Sequence, residues 1–246
     1  MLAVIGGSGL TRMSSLEGTR SQAMRTPYGE PSDAITHGTI RGRAVMFLAR
    51  HGSGHTIPPH EINYRANLWA LKEAGADGIV AVASVGGVRA DLGPGVLVVP
   101  NQIIDYTWGR RATYFEGGGV PVKHVDFTHP YAEGLRRRIL DAARAAGEAI
   151  RDGGVYAATQ GPRLESAAEI DRLERDGADL VGMTGMPEAV LARELDLEYA
   201  VIAVVVNHAA GRGDSKDGIA LDGIEATLQQ SIGRARRVIE ELVAPT

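Results

Sequence analysis

Residues 78–84 read Gly-Ile-Val-Ala-Val-Ala-Ser, and every residue between Gly78 and Ser84 is apolar. A strand with one solvated face would alternate apolar and polar residues, so this run predicts a central strand that is covered on both faces. Gly86 and Gly87 follow the run. In open α/β sheets ligands bind beyond the carboxyl ends of the strands, where glycine permits a close approach. The segment therefore indicates an α/β domain with a ligand site at this end of its strands.

Other predicted strands and helices alternate along the rest of the chain. Strands are predicted over 2–5, 96–104, 155–159, 179–183 and 199–206, with a hairpin over 34–48 that turns at Arg41-Gly42-Arg43. Helical spacing of apolar residues predicts helices over 61–73, 131–146 and 224–242, and a further helix opens after Gly161. Residues 105–129 are rich in glycine and aromatics, and so long a loop is typically functional or disordered. We predict a single α/β domain over residues 1–246, with a central mixed sheet flanked by helices.

The composition excludes several classes of protein. The chain has 246 residues, of which 44% are hydrophobic and 23% charged, which is enough apolar material for a core. It has no apolar run of the roughly 20 residues that cross a bilayer. It also lacks a basic leader, so we expect neither a membrane partner nor a signal peptide. Cysteine is absent, which excludes disulfides, thiolate catalysis and cysteine-bound zinc. We expect a cytoplasmic protein.

The charge pattern does not favour nucleic-acid binding. The net charge is −4, and the only tight basic cluster is Arg136-Arg137-Arg138. This cluster falls in a predicted helix, where consecutive side chains point in different directions. Nucleic-acid binding needs a concentrated positive surface, so we interpret the cluster as a solvated helix face. No nucleic-acid partner is expected.

Gly6-Gly7-Ser8-Gly9 directly follows the first predicted strand. Exposed amides and a hydroxyl in such a loop can bind phosphate, although a plain strand-to-loop turn explains the glycines equally well. A dinucleotide fingerprint would need glycine at position 12, which is Arg12. A nicotinamide-dependent oxidoreductase is therefore a weak alternative.

Arg50-His51-Gly-Ser-Gly-His55 follows another apolar run. Arginine offers a forked contact to phosphate oxygens and a nearby histidine adds a second donor. The alternative is a surface turn in which both side chains are solvated. A metal site formed by His51, His55 and His60 is disfavoured, because Pro58-Pro59 interrupts any helix that would align them. We expect no metal.

Polar residues also occur at three further strand ends. Glu165 follows a strand and opens a helix, so it is either a first-turn acid favoured by the helix dipole or an acceptor for a ligand. Asn207 ends the most apolar strand, and its amide is either satisfied by a loop or binds a base edge. Met183-Thr184 occupies a similar position. Polar groups at several strand ends are typical of an α/β active site.

Together these segments resemble the trimeric purine nucleoside phosphorylases, and in particular their 5′-methylthioadenosine phosphorylase branch. The markers run along nearly the whole chain: Ile5-Gly-Gly-Ser-Gly-Leu10, Arg50-His51, His55-Thr-Ile, Asn63-Tyr-Arg-Ala-Asn67, Gly161-Pro-Arg163 and Met183-Thr-Gly-Met-Pro-Glu188. The resemblance implies a pentosyltransferase. Phosphate attacks the anomeric carbon of a purine ribonucleoside and releases the base and ribose 1-phosphate, without a metal or an organic cofactor. It also implies a homotrimer.

The resemblance implies a role for individual residues. The phosphate-binding positions match Ser8, Arg50, His51, Thr184 and the backbone of Ser84. Met183 matches a residue that lines the ribose, and His124 falls where the family brings a histidine from the neighbouring subunit toward the 5′ end of the ribose. Leu164 stands where relatives have an aromatic that packs on the base or sugar, so stacking is expected to be weaker.

The base-binding segment departs from the adenosine branch. Methylthioadenosine phosphorylases carry acidic residues where this chain has Asn207-His208-Ala209, whereas 6-oxopurine phosphorylases carry Asn at the first position and Glu at the position of Glu165. An ionised Glu165 can accept N1–H of hypoxanthine, and the Asn207 amide can donate to N7 or O6. Adenine would set a lone pair against the carboxylate. We expect 6-oxopurine specificity; His208 has no role that the sequence supports.

The residues expected around the 5′ group resemble those of the methylthioadenosine phosphorylase branch. The inosine and guanosine enzymes supply a histidine for the 5′-hydroxyl, and the corresponding stretch 218–222 has none. Ile219 and Leu221 match positions where aliphatic side chains meet a thioether; the alternative is that they are core residues at a helix start. The expected substrate is 5′-methylthioinosine, followed by inosine or guanosine and then methylthioadenosine. An inactive nucleoside-binding protein of the same fold is the alternative from another functional class.

Overall fold

The run at residues 78–87 lies in the middle of a mixed sheet. The computed structural model describes residues 1–244, apart from the side chains of residues 221–223, and this part of the chain contains eleven strands in one sheet. The strands are β1 (Leu2–Gly6), β2 (Glu17–Gln22), β3 (Ile35–Ile40), β4 (Arg43–Ala49), β5 (Gly78–Gly87), β6 (Leu97–Val99), β7 (Gln102–Asp105), β8 (Ile150–Asp152), β9 (Val155–Ala158), β10 (Leu180–Gly182) and β11 (Glu198–His208). The helices are α1 (Tyr64–Glu73), α2 (Glu133–Ala145), α3 (Ala167–Arg175), α4 (Gly185–Glu194) and α5 (Leu221–Leu242). The predicted fold class is confirmed.

Strand β5 has three partners. Its first half lies between the parallel strands β1 and β11, and Gly86 and Gly87 pair antiparallel with β10. Strands β4 and β9 extend the sheet in parallel on either side, beside β1 and β10 respectively. The carboxyl ends of β1, β4, β5 and β11 therefore lie side by side at the same end of the sheet.

Successive side chains of β5 enter opposite cores, as the apolar run predicted. Ile79 and Ala81 belong to one buried cluster, together with residues of α1 and α4. Val80 and Val82 belong to a second buried cluster, together with residues of α2 and α5. Helices cover both faces of the sheet and keep its interior apolar. The polar residues are therefore found where the strands end, at the carboxyl-terminal end of the sheet.

Several predicted elements need correction. The single strand expected over 96–104 is two strands, β6 and β7, because Pro100 interrupts the backbone ladder and each part pairs with a different neighbour. Strands β2 and β8 and helix α4 were missed; β2 is largely exposed and has no apolar alternation. The hairpin turn at Arg41-Gly42 is confirmed, with positive φ at both residues.

The arginine cluster of α2 is only partly solvated. Arg136 is 4% exposed, and its guanidinium donates to the carbonyl oxygen of Pro100 at 2.9 Å and also bonds Asp152. Arg137 remains exposed, as predicted. Consecutive helix positions point in different directions, so one arginine of the three faces the strands while its neighbour faces solvent.

Candidate active site

A cavity of about 610 Å³ opens at the carboxyl ends of β1, β4, β5, β10 and β11. The sequence-predicted residues that line it are Ser8, Arg50, His51, Ser84, Leu164, Glu165, Met183, Thr184, Asn207, Ala209 and Ile219. His124 does not line it and is exposed on the segment between β7 and α2. The side chain of Leu221 lies outside the described residues. The structure thus brings nearly all of the candidates together, and their roles remain predictions.

Two glycines allow the loop after β1 to approach the floor of the cavity. A Cβ on Gly7 would lie 2.6 Å from the carbonyl oxygen of Val82 and 2.8 Å from Nη1 of Arg50, so no larger residue fits there. Gly9 has a φ of +78°, a conformation that favours glycine. Ser8 lies between them, with its Oγ 3.4 Å from Nε2 of His55.

Arg50 is 1% exposed, so the surface-turn alternative is wrong for this residue. Its Nε and Nη2 donate to the two carboxylate oxygens of Glu188 at 2.7 and 2.9 Å, and Nη1 donates to the carbonyl of Val82 at 3.0 Å. Burial alone would lower the pKa of Arg50, but the facing carboxylate of Glu188 outweighs it and the pKa is raised. A guanidinium has five N–H donors, so two remain for an anion in the cavity.

His51 is buried too, with 7% exposure, and the surface-turn alternative is also wrong here. Its Nδ1 lies 2.8 Å from the carbonyl oxygen of Ile57. Burial and then the adjacent Arg50 cation lower the pKa of His51 to about 4, against the opposing effect of the Ile57 carbonyl. The His51 ring is therefore neutral at neutral pH.

Glu165 faces the cavity and does not belong to the helix that follows. Helix α3 begins at Ala167, and Ser166 and Glu169 form its capping box, so Glu169 is the acid that the helix dipole favours. The dipole interpretation of Glu165 is wrong. Its Oε1 accepts a hydrogen bond of 2.6 Å from the hydroxyl of Thr159, which leaves Oε2 for a ligand.

A β-bulge positions Asn207. Val205 pairs with Val85 and Asn207 pairs with Gly86, so the register of β11 shifts by one residue just before the cavity. Bulges of this kind redirect side chains next to active sites. Nδ2 of Asn207 donates to the carbonyl oxygen of His208 at 2.6 Å. The amide thus has one bond within its own chain and keeps a second N–H and its oxygen.

His208, for which the sequence supports no role, is a structural residue. It does not line the cavity. Its Nδ1 accepts a hydrogen bond of 3.3 Å from the backbone N–H of Asp214. A Cβ on Gly93 or Gly213 would lie 3.1 Å or less from the ring, so both glycines make room for it. His208 therefore fixes the short turn that follows β11.

Ile224, Leu228 and Glu188 are among the residues of the site that were not recognised in the sequence. Ile224 and Leu228 of α5 line the cavity together with Ile219, so the apolar surface extends over one turn of the helix. Their spacing of four residues was visible, but it is equally typical of core residues. Glu188 was part of a marker motif, yet only the fold shows that it binds Arg50.

Arg110 connects the irregular segment after β7 to the back of the site. Its guanidinium donates to the carbonyl oxygens of Met183 and Met186 at 2.7 and 2.6 Å and to that of Gln160 at 2.8 Å. These carbonyls belong to the segments that follow β10 and β9. No sequence signal distinguished Arg110 from Arg111, whose guanidinium is exposed and bonds Glu116.

Metal ligands do not cluster within the part of the chain that the structure describes: no three His, Asp or Glu side chains lie close enough to bind one ion. His51 and His55 have ring centroids 4.6 Å apart, but no third ligand joins them. Over the same residues, no helix has both the length and the apolar character needed to span a bilayer.

The fold and the cavity place this chain in a known class of enzymes. The model of the phosphorylase superfamily matches residues 1–244, and the chain belongs to this family. The family expectation drawn from the sequence is confirmed.

Particular relatives are closer still. The chain is 52% identical over 242 residues to the "Probable S-methyl-5′-thioinosine phosphorylase" of Pseudomonas syringae pv. tomato, covering 98% of both chains. It is 46% identical to the "6-oxopurine nucleoside phosphorylase" of Pyrococcus furiosus, covering 87% of this chain and 82% of that protein. Among solved structures, methylthioadenosine phosphorylase from Schistosoma mansoni in complex with adenine superposes with a TM-score of 0.92 at 32% identity, covering 98% and 90% of the two chains.

Proposed function

We propose that this enzyme catalyses phosphorolysis of S-methyl-5′-thioinosine to hypoxanthine and S-methyl-5-thio-α-D-ribose 1-phosphate. The observation that carries the proposal is the presence of Glu165 and Asn207 in one cavity with the buried Arg50 and His51. The name of the Pseudomonas relative supports the same substrate. Phosphate is the co-substrate, and the proposal requires neither a metal nor an organic cofactor.

The base is bound by Glu165 and Asn207. Thr159 holds one carboxylate oxygen of Glu165, so the other is oriented to accept N1–H of hypoxanthine. The second N–H of Asn207 donates to N7 or O6, where negative charge develops as the purine departs. Ala209, which also lines the cavity, presents no acidic group to the base. Adenine carries a lone pair at N1 and would oppose Glu165, a mismatch that can exclude an analogue by about 10⁴-fold or more.

Phosphate binds at the opposite end of the cavity, between the loop after β1 and the start of α4. Donors for it are the two remaining N–H groups of Arg50, the hydroxyls of Ser8 and Thr184, and the backbone of Ser84. A phosphate oxygen attacks the anomeric carbon while the bond to the purine nitrogen breaks, so the phosphate dianion stabilises the cationic sugar. Met183 lines the ribose between the two ends.

The 5′ group is received by an apolar surface. Ile219, Ile224 and Leu228 line the cavity, and they offer no hydrogen-bond partner for a 5′-hydroxyl. A thioether is well matched to such a surface, whereas a hydroxyl placed against these three side chains loses its contact with water and gains no hydrogen bond from them. This contrast supports methylthioinosine over inosine. A general inosine and guanosine phosphorylase is the second candidate, supported by the name of the Pyrococcus relative.

A homotrimer is part of the proposal. His124 lies outside its own chain's cavity on a segment with exposed apolar side chains, among them Trp108 and Val122, each 72% exposed. Covering these side chains with a partner chain would remove apolar surface from water, which favours association. We infer that this segment meets a second copy and brings His124 to that copy's 5′ end. The cytoplasmic location expected from the sequence also remains a prediction.

The direct test is release of hypoxanthine from methylthioinosine by purified enzyme, with and without inorganic phosphate. Phosphate-dependent release with equimolar sugar phosphate is expected. Binding of the nucleoside without any release would favour the inactive binding protein instead. Light scattering in the same buffer measures the oligomer, and His124→Ala is expected to reduce kcat/KM without dissociating a trimer.

A further inference from the structure

His51 lines the cavity, and one nitrogen of its ring is a hydrogen-bond acceptor. Its Nδ1 lies 2.8 Å from the carbonyl oxygen of Ile57, and because a carbonyl only accepts, Nδ1 carries the ring proton. The hydrogen bond of one ring nitrogen fixes the state of the other. Nε2 is therefore the unprotonated nitrogen, and no hydrogen bond to it is found among the described residues. Burial and the Arg50 cation, which lower the pKa of His51 to about 4, keep a second proton away.

The charged and titratable groups next to His51 do not reverse this state. Arg50 precedes it in the chain, and the ring of His55 lies 4.6 Å from it, centroid to centroid. The carboxylate nearest to Arg50 is that of Glu188, and the arginine neutralises it through both of its oxygens. No acid of the described residues bonds His51. The other proposed phosphate ligands are N–H groups of Arg50 and of the backbone and the rotatable hydroxyls of Ser8 and Thr184, so Nε2 of His51 is the acceptor that cannot turn a hydrogen toward the anion.

We propose that His51 selects the singly protonated phosphate dianion by accepting the P–OH hydrogen at Nε2. This inference rests on the proposed function, since it assumes that phosphate occupies this end of the cavity. A site of donors alone would bind any tetrahedral dianion. Sulfate has the same shape and charge at neutral pH but carries no hydrogen, so one of its oxygens would face the lone pair of Nε2. Specificity commonly depends on such a repulsive element.

The experiment compares anion affinities at neutral pH by isothermal titration calorimetry, with inorganic phosphate, sulfate and monofluorophosphate as probes. Monofluorophosphate replaces the hydroxyl of the phosphate dianion by fluorine and keeps its charge. For the unmodified enzyme, sulfate and monofluorophosphate are expected to bind at least about tenfold more weakly than phosphate, the cost of one mismatched hydrogen bond. His51→Gln carries an amide that can turn its N–H to the anion, so its preference for phosphate over sulfate should shrink several-fold.

His60→Gln is the matched control, because His60 belongs to the same segment but does not line this cavity. It is expected to keep the preference of the unmodified enzyme. Equal binding of sulfate and phosphate by the unmodified enzyme would overturn the inference, as would an undiminished preference in His51→Gln. If His51→Gln does not fold, the test uses the unmodified enzyme alone: binding of monofluorophosphate as tight as that of phosphate would overturn the inference, and weaker binding would support it. Phosphorolysis is assayed separately: its absence would refute the proposed function, whereas phosphorolysis without anion preference would refute only the role of His51.

Discussion

Glu188 binds the guanidinium of Arg50 through both carboxylate oxygens, at 2.7 and 2.9 Å, with neither side chain more than 1% exposed. The hydroxyl of Tyr199 donates to the same carboxylate at 2.8 Å. Glu188 therefore fixes the plane of the guanidinium and neutralises its charge before any anion arrives. A forked pair of this kind combines strength with a defined orientation.

Glu188→Gln is expected to destabilise the enzyme and to weaken phosphate binding, because it leaves the Arg50 cation buried without its counter-ion. Breaking one side of a buried pair typically costs about 3–5 kcal/mol. Chemical denaturation measures the loss, and the phosphate KM should rise far more than the nucleoside KM. Tyr199→Phe is the control, since it removes one hydrogen bond to the carboxylate, worth about 1.5–3 kcal/mol, and leaves the ion pair intact. An unchanged phosphate KM in Glu188→Gln would contradict the positioning role.

Asn207→Asp is expected to lower kcat/KM for methylthioinosine and to raise any activity toward methylthioadenosine. The carboxylate cannot donate to N7 or O6 of hypoxanthine when ionised, whereas an acidic group at this position is what the adenosine branch carries. The loss should correspond to about 1.5–3 kcal/mol, as for a hydrogen bond to a charged group. The measurement is kcat/KM for both nucleosides at saturating phosphate. If their ratio does not move, Asn207 does not bind the base.

Arg110→Met is expected to raise the nucleoside KM, because the carbonyls of Met183 and Gln160 lose the cation that holds them. Arg111→Met offers a matched control one residue away, since the Arg111 side chain is 73% exposed and bonds only Glu116. Exposed ion pairs contribute at most about 1 kcal/mol, so this control should behave as the unmodified enzyme. Equal effects of the two variants would refute a specific role for Arg110.

Stability should decline in mild acid because of His51. Its pKa is lowered from 6.5 to about 4 in the folded enzyme, so between these values the unfolded chain binds the proton and the folded chain does not. The contribution of the neutral His51 to the free energy of unfolding is complete above pH 6.5. It is lost as the pH falls toward 4, by about 3 kcal/mol in total. Urea denaturation across this range, without phosphate, should show a shallower decline for His51→Gln. Parallel curves for the two proteins would contradict the assignment.

Much of the fold followed from the sequence, because apolar runs such as 78–84 can only be buried between two layers. The errors concern single elements, namely where one strand is divided and where an exposed strand lies. Pro100 is visible in residues 96–104, but the sequence does not show that the parts before and after it pair with different strands. The exposed strand β2 has no apolar face to reveal it.

The candidate site was predicted less completely, because residue type does not specify a partner. Arg50 could be singled out as an anion ligand, but no pattern in the sequence indicates that its side chain is buried against Glu188, 138 residues away. The dipole interpretation of Glu165 failed for a related reason. The helix begins only at Ala167, so Glu165 precedes its first turn and lines the cavity instead.

The central claim is that an oxopurine base site and an apolar 5′ pocket belong to one cavity. The measurement that tests it most directly is kcat/KM, at saturating phosphate, for methylthioinosine, inosine and methylthioadenosine side by side. A strong preference for methylthioinosine over both others is predicted. Equal use of inosine would mean that Ile219, Ile224 and Leu228 do not select the 5′ group. A preference for methylthioadenosine would contradict the base site formed by Glu165 and Asn207.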